Sequence, residues 1–423
     1  MKKTLLLQTA LVAAAGVMLA DASFAQVKAE PLGVTVGGYM TRTFKVQDRD
    51  KIAVPAGTAT ANLPGQHDKS AATFGAPDAE IWFSLRAVLD NGLRIGGRVE
   101  LEGATDGDQI DESYVWFEND LGRIELGSTD RVASKMQYFS PNATLSGQNT
   151  GQVSENAVFI TPANNRAGGV TMWFANAAND AEGINFYTSS NRYFGSKAGK
   201  GLQLGYSYTP DGCQDYTNGA FNNGTYAGTT CDAGFGSTNN GTTRNQHTFA
   251  GNYLESFGDF NVALYGGYIS NRTESTATTA VNAAPKRVTG WQAGLQVGYN
   301  LGGGSTITVG GGLKDEEVSR NDAGNAIDRK AYVVGVYYLS NGAAPGSIGV
   351  GADYWWAKGE ETNANVKQGD DKAKVFQVGA SYQLATGIKL YGGAGTYKYT
   401  DGNGTLANES KANFGLLGVN LVF

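Results

Sequence analysis

Apolar and polar residues alternate with a period of two through segment after segment of this chain. In 291–300, Trp291, Ala293, Leu295, Val297 and Tyr299 share one face, and Gln292, Gly294, Gln296, Gly298 and Asn300 share the other. In 201–209 the same split sets Leu202, Leu204, Tyr206 and Tyr208 against Gln203, Gly205, Ser207 and Thr209. Successive strand residues point to opposite faces, so the pattern predicts strands with one apolar side. Sixteen candidates follow: 34–45, 79–89, 93–102, 111–119, 123–127, 183–189, 201–209, 244–253, 259–270, 287–299, 305–316, 329–339, 346–358, 374–384, 388–400 and 411–423. No run after Ala25 reaches the ~20 apolar residues that a spanning helix needs. No amphipathic helical segment is available to cover a sheet either, so closing the sheet on itself is what remains to remove its edges.

The connections point to closure across a membrane. Short ones at Asp90-Asn91-Gly92, Asp120 to Gly122, Leu254 to Gly258, Asn300 to Gly304, Ser340 to Pro345 and Ala385-Thr386-Gly387 alternate with longer ones. The longer set is 46–78, 103–110, 128–182, 210–243, 271–286, 317–328, 359–373 and 401–410, with 190–200 a longer member of the short set. Short turns on one side and long loops on the other are the habit of outer-membrane barrels. A ten-residue strand rises ~33 Å and, tilted near 45°, covers about 23 Å, close to the ~25 Å apolar band. The pattern predicts an all-β fold, a transmembrane antiparallel barrel of 16 strands over residues 26–423.

Lys2 and Lys3 precede an apolar stretch from Leu5 to Ala20, and Ala22-Ser23-Phe24-Ala25 offers small residues for cleavage, so residues 1–25 read as an export leader. The formal net charge of −6 leaves no nucleic-acid-binding footprint. Cys213 and Cys231 lie in a segment rich in Gly, Asn and Thr, and in an oxidising compartment they are expected to form a disulfide; two free thiols are the alternative.

Residues 128–182 do not fit the strand pattern. A connection this long in a compact domain is expected only when it is functional, and a barrel offers it a lumen to enter. It is therefore read as a constriction loop. What it faces follows from strand parity. Segment 79–89 turns Glu80, Trp82, Ser84, Arg86 and Val88 inward, and 93–102 does so with Arg94, Gly96, Arg98, Glu100 and Glu102. A three-residue loop at Asp90-Asn91-Gly92 pairs Leu89 with Leu93 and keeps the faces consistent, with Gly92 in the left-handed region. Arg86 then lies opposite Gly96, with Arg94 and Arg98 as diagonal neighbours about 7–8 Å away. Three arginines form a candidate basic wall of the constriction. Arg42 is a weaker candidate for that wall: it falls on the face of Val34, Val36 and Met40, so either a bulge turns it inward or it snorkels at the outer rim.

The opening GVTVGGYMTRTF, the segment ESYVWFENDLGRIELGSTD at 112–130, GLQLGYSYTPD at 201–211 and the Phe-terminated last strand resemble Gram-negative general-diffusion porins. DLGRIELG, just before the long segment, is the most specific fragment. The resemblance implies a sixteen-stranded outer-membrane barrel, a homotrimer among membrane lipids, passing small hydrophilic solutes passively and without cofactors or catalysis. It also implies that the third external loop folds inward and sets acids against a basic wall. Asp130 is the first candidate for that role, then Glu155, with Asp180 as a further acid in the loop; the loop is poorer in carboxylates than the family pattern.

Other readings stay open. A barrel hydrolase needs a histidine, and only His67 and His247 are present, neither with an obvious nucleophile. Asp106-Gly107-Asp108 with Asp111 partly resembles a Ca²⁺ loop, without the spacing or final Glu of an EF-hand. A sugar-selective channel would use inward Trp82, Trp355 and Tyr391 as an aromatic track. A structural barrel whose external loops bind partners is a third alternative.

Overall fold

The computed structural model describes residues 28–49, 70–74, 78–103, 109–142, 167, 172–174, 179–189, 199–211, 215–217, 230–232, 243–273, 286–320, 326–363, 366–402 and 409–423. The leader at 1–25, His67, Asp106, Asp108, Glu155 and Cys213 lie outside the described residues.

Each segment of period-two alternation becomes a wall strand. The first half of the wall comprises β1 (Glu30–Arg49), β2 (Ser70–Phe74), β3 (Asp78–Val88), β4 (Arg94–Glu102), β5 (Ile110–Glu118), β6 (Gly122–Ser128), β7 (Glu182–Thr188) and β8 (Gly201–Asp211). After β9 (Asp215–Thr217) and β10 (Thr230–Asp232), which among the described residues form a separate two-stranded sheet, come β11 (Thr243–Phe257), β12 (Phe260–Thr273), β13 (Lys286–Gly302) and β14 (Ser305–Arg320). β15 (Ala326–Leu339), β16 (Ile348–Asn363), β17 (Val366–Ala385), β18 (Ile388–Thr400) and β19 (Ser410–Val422) complete it. β2 and β3 follow one another along the same edge of β1, with Phe44 opposite Phe74 and Val34 opposite Leu85, so they fill one wall position. The result is a closed 16-stranded antiparallel barrel. Cys231 sits in β10 opposite Tyr216.

The apolar face of each strand turns outward. In β13, Trp291 and Leu295 are 48% and 44% exposed while inward Gln292 is 2% exposed. Val309, Val334 and Val378 stand outward in the same way. Each Å² of such surface costs ~25 cal/mol in water, so a belt of this kind belongs against hydrocarbon.

The first hairpin has the expected register. Leu89 donates to Leu93 O at 2.9 Å, Gly92 donates to Leu89 O at 2.8 Å, and Gly92 has φ 79°. Arg86 is paired with Gly96 as a consequence. In 244–253 a bulge between Arg244 and His247, with Asn245 at φ 48°, interrupts β11.

Closure depends on β1, which pairs with β3 on one edge and β19 on the other. At the seam Gly38 and Phe423 exchange two backbone hydrogen bonds of 3.0 Å. A Cβ on Gly38 would lie 2.5 Å from Glu80 O and 2.6 Å from the Phe423 ring, so only glycine fits. Gly38→Val is expected to prevent closure, read as loss of the heat-modifiable folded band on electrophoresis; a normal folded band would show that the seam tolerates the side chain.

Candidate functional site

The lumen wall of β3–β6 is built in tiers by strand register. Nearest the short turns, Val88, Arg94, Glu118 and Arg123 stand in one row, followed by Arg86, Gly96, Trp116 and Glu125, then Ser84, Arg98, Tyr114 and Gly127. Arg94 Nη2 lies 3.1 Å from Glu118 Oε1, and Arg123 lies 3.9 Å from Glu118 and 2.8 Å from Glu125. The Arg123 guanidinium covers the Trp116 ring at 4.5 Å, and Arg98 covers Trp82 at the same distance while pairing with Glu100. Gly96 leaves the space that the Trp116 indole occupies. Arg86 therefore faces a glycine and a ring, and among the described residues it has no carboxylate partner and stays exposed.

Above the arginines, towards the long loops, the same wall is acidic. Tyr39 OH donates to Glu80 Oε1 at 2.7 Å or Asp78 Oδ1 at 2.8 Å. Glu80, Glu102 and Asp111 each offer a carboxylate oxygen, all within 4.8 Å of one another. Asp111, named in the sequence with Asp106 and Asp108, thus joins a different set of acids.

The described residues of the long connection after β6 lie on the inner wall. Glu112 Oε1 on β5 accepts from Thr129 Oγ1 at 2.7 Å and from Asp130 N at 2.8 Å. Arg131 is fully buried and joins the two limbs of the loop: its Nη2 donates to Thr129 O and, at 2.6 Å, to Ala181 O, and its Nη1 donates to Asn185 Oδ1 at 3.3 Å. Gly183 makes room for that guanidinium. The short helix α1 (Val132–Lys135) then runs past β8, β12 and β13. Val132 N donates to Ser207 Oγ at 2.9 Å, and Ala133 O accepts from Tyr265 OH at 2.7 Å and Gln292 Nε2 at 3.3 Å.

Beyond the helix, inward glycines let the loop lie directly on the strands. A Cβ at Gly205 would be 2.6 Å from Met136 Sδ, one at Gly310 2.5 Å from Phe139 O, and one at Gly335 2.8 Å from Pro141 O. On the returning limb, Lys314 donates to Trp173 O and pairs with Glu316 at 3.2 Å, with both side chains buried. Met172 and Phe174 are buried beside it, so they pack the loop to the wall.

Two site expectations need correction. Arg42 is not in the lumen: no bulge intervenes, and it stays exposed on the outward face with Met40 and Phe44, its Nη1 donating to Thr41 O at 3.1 Å. Asp130 does not reach the arginines. It is fixed at the loop root, where Asn185 Nδ2 donates to its carbonyl at 2.8 Å and its charged neighbours are Glu112, Lys135, Asp111 and Arg131. The carboxylates beside Arg94 and Arg98 come from the wall itself. Arg123, Arg131 and the Lys314–Glu316 pair were missed. For Arg123 the signal was its parity opposite Glu118; for the loop anchors it was the inward glycines at 205, 294, 310, 312 and 335. The structure brings together Arg86, Arg94 and Arg98 as predicted.

The sequence profile of Gram-negative porins matches residues 8–402. A comparison with curated proteins finds no match. Among solved structures, the anion-selective porin from Comamonas acidovorans superposes with a TM-score of 0.54 at 17% identity, covering 93% of this chain and 100% of that one. OmpT of Vibrio cholerae in its trimer form gives 0.53 at 15% identity over 93% and 100%. OmpF of Salmonella typhi in complex with daunomycin gives 0.53 at 12% identity over 92% and 97%. At these identities the likeness concerns the fold.

Burial, with Glu112 next in effect, pushes the Asp130 carboxyl up to about 7, and burial raises Asp180 as well, with Asp130 beside it. A carboxyl raised in the folded state binds its proton more tightly there than in the unfolded chain. Its contribution therefore favours the fold below the unfolded value of 3.8 and is lost as pH climbs to about 7. Thermal stability should fall between pH 4 and 7, and Asp130→Asn should flatten that slope; an unchanged slope in melting curves would show that Asp130 does not titrate in this window.

Proposed function

Because the chain belongs to the Gram-negative porin family, we propose that its lumen discriminates among solutes by charge, with Arg86 as the cation that permeating anions meet. The protein is an integral outer-membrane barrel and a diffusion channel. The observation that carries the proposal is the contrast on one wall. Arg94, Arg98 and Arg123 are each held by a carboxylate, and Arg98 and Arg123 also lie over an indole, whereas Arg86 has none among the described residues and is exposed. A paired arginine offers a passing anion little net charge. An unpaired one at 4 Å in water-like surroundings is worth ~1 kcal/mol, about fivefold in relative permeability.

Small hydrophilic solutes are the proposed cargo, and catalysis forms no part of this reading. His247 accepts or donates a hydrogen bond with Tyr206 OH at 2.8 Å on the strand face of Phe249, outside the lumen. A sugar track is less well supported, because Trp355 and Tyr391 are only 1% and 2% exposed and Trp82 lies under Arg98. A homotrimer is proposed in line with the trimer form of the V. cholerae relative.

In a salt gradient across a planar bilayer, Arg86→Ala should move the reversal potential towards cation preference by more than Arg94→Ala or Arg98→Ala does. Equal or absent shifts would remove Arg86 from the role. For assembly, mild extraction should yield a species of three chains by light scattering; a monodisperse single chain would refute the trimer.

A further inference from the structure

We propose that the lumen face of β3–β4 holds a subsite for planar aromatic carboxylates, in which the Arg98 guanidinium stacks on the ring and Arg86 takes the carboxylate. The subsite rests on the reading of Arg86 as the cation that anions meet, and Arg98 adds a means of choosing among them. Arg98 lies over the Trp82 ring at 4.5 Å and pairs with Glu100. Its charge is matched, so it adds little to the pull on a passing anion. Its flat shape is still available. A guanidinium is a planar, delocalised cation that stacks on aromatic faces. One face of Arg98 is taken by the indole, and its side chain remains 29% exposed, which leaves the second face for a flat solute.

Register sets the two arginines side by side. Arg86 is paired with Gly96 and Ser84 with Arg98, so Arg86 and Arg98 are diagonal neighbours on the inward face, about 7–8 Å apart at the backbone. Gly96 contributes no side chain between them, and the Trp116 indole lies over that glycine. The patch therefore has an exposed cation at one end, a cation face at the other and an indole as its floor. Small inorganic anions and saturated carboxylates use only the first of these. A benzene ring bearing a carboxylate uses all three. The other guanidinium groups on this wall are placed differently. Arg94 faces Glu118, and Arg123, although it covers Trp116, is held by both Glu118 and Glu125 on β5 and β6.

The gain comes from the ring's electrons. An aromatic ring presents a negative face to a cation, and a saturated ring of the same charge and size presents none. At a partly exposed site this contact is worth about two- to fivefold in occupancy. Trp82 contributes through Arg98: the indole fixes where the guanidinium lies, and Tyr39 packs on that indole with ring centroids 6.1 Å apart. Trp82 is thus a positioning residue, and Arg98 makes the contact. A lysine at 98 would carry the same charge without the plane.

The test is the reversal potential of the full-length channel in a planar bilayer, with potassium benzoate or potassium cyclohexanecarboxylate on one side and potassium chloride on the other. Both acids are ionised and similar in size, and only benzoate is planar and aromatic. The wild type should pass benzoate about threefold more readily than cyclohexanecarboxylate. Arg98→Lys, which keeps the charge and loses the plane, should bring the two acids level, and so should Trp82→Leu, which removes the ring that positions the plane. Each comparison is made within one conducting channel, so a variant that carries current has folded. Equal passage of the two acids through the wild type would overturn the subsite, as would an undiminished benzoate preference in both variants, even where Arg86→Ala shifts chloride selectivity as expected. If instead Arg86→Ala leaves chloride selectivity unmoved while the benzoate preference and its loss in Arg98→Lys both hold, the charge reading of Arg86 fails alone and stacking on Arg98 is upheld.

Discussion

A polypeptide that crosses hydrocarbon has to satisfy every backbone donor and acceptor internally, because the membrane supplies none, and each unpaired group costs several kcal/mol. For a sheet this leaves closure, and here closure passes through a single strand, β1, which holds β3 on one side and the chain's last strand on the other. The seam joins residues near the two ends of the barrel sequence: Gly38 and Phe423 exchange hydrogen bonds across it. The rest of the molecule follows from that ring. It fixes which face of each strand meets lipid, and it creates the enclosed space in which a long connection is folded.

That connection shows how a loop can be placed as firmly as a strand. Its two limbs are joined by one buried guanidinium, that of Arg131, which bonds carbonyls on both. Residues 136–141 lie on glycines, so backbone approaches backbone where a side chain would hold it off. Glycine weakens a strand, yet at inward positions of β8, β13, β14 and β15 it is what lets the loop reach the wall. The buried Lys314–Glu316 pair fixes the returning limb, and a pair of this kind holds position because losing one partner strands the other charge.

Charge on the lumen wall is organised by the wall's own strands. Inward acids and bases alternate through register, arginine tiers below and carboxylates above, with indole rings under two of the guanidinium groups. Most of that charge is matched locally, so the field a solute meets depends on the few groups left unmatched, not on the count of arginines.

Strand number, strand parity and the β3–β4 register are all legible in the amino-acid sequence, because each is local. Period two sets the face of every side chain, and a three-residue loop ending in Gly92 sets the partner of every residue in its hairpin. Those two local rules are enough to bring Arg86, Arg94 and Arg98 together. Parity alone also placed Arg42 on the outward face; including it in the lumen required a bulge that the chain does not make. What only the tertiary structure decided is non-local. Asp130 is adjacent in sequence to the end of β6, but its position is set by Glu112 and Asn185 on other strands, which hold it at the loop root. The path of the loop depends on glycines spread over four strands between 205 and 335, whose common purpose appears only once closure lines them up. Which arginine stays unpaired depends on the Trp116 ring lying over Gly96, a contact across strands that neither residue's own segment encodes.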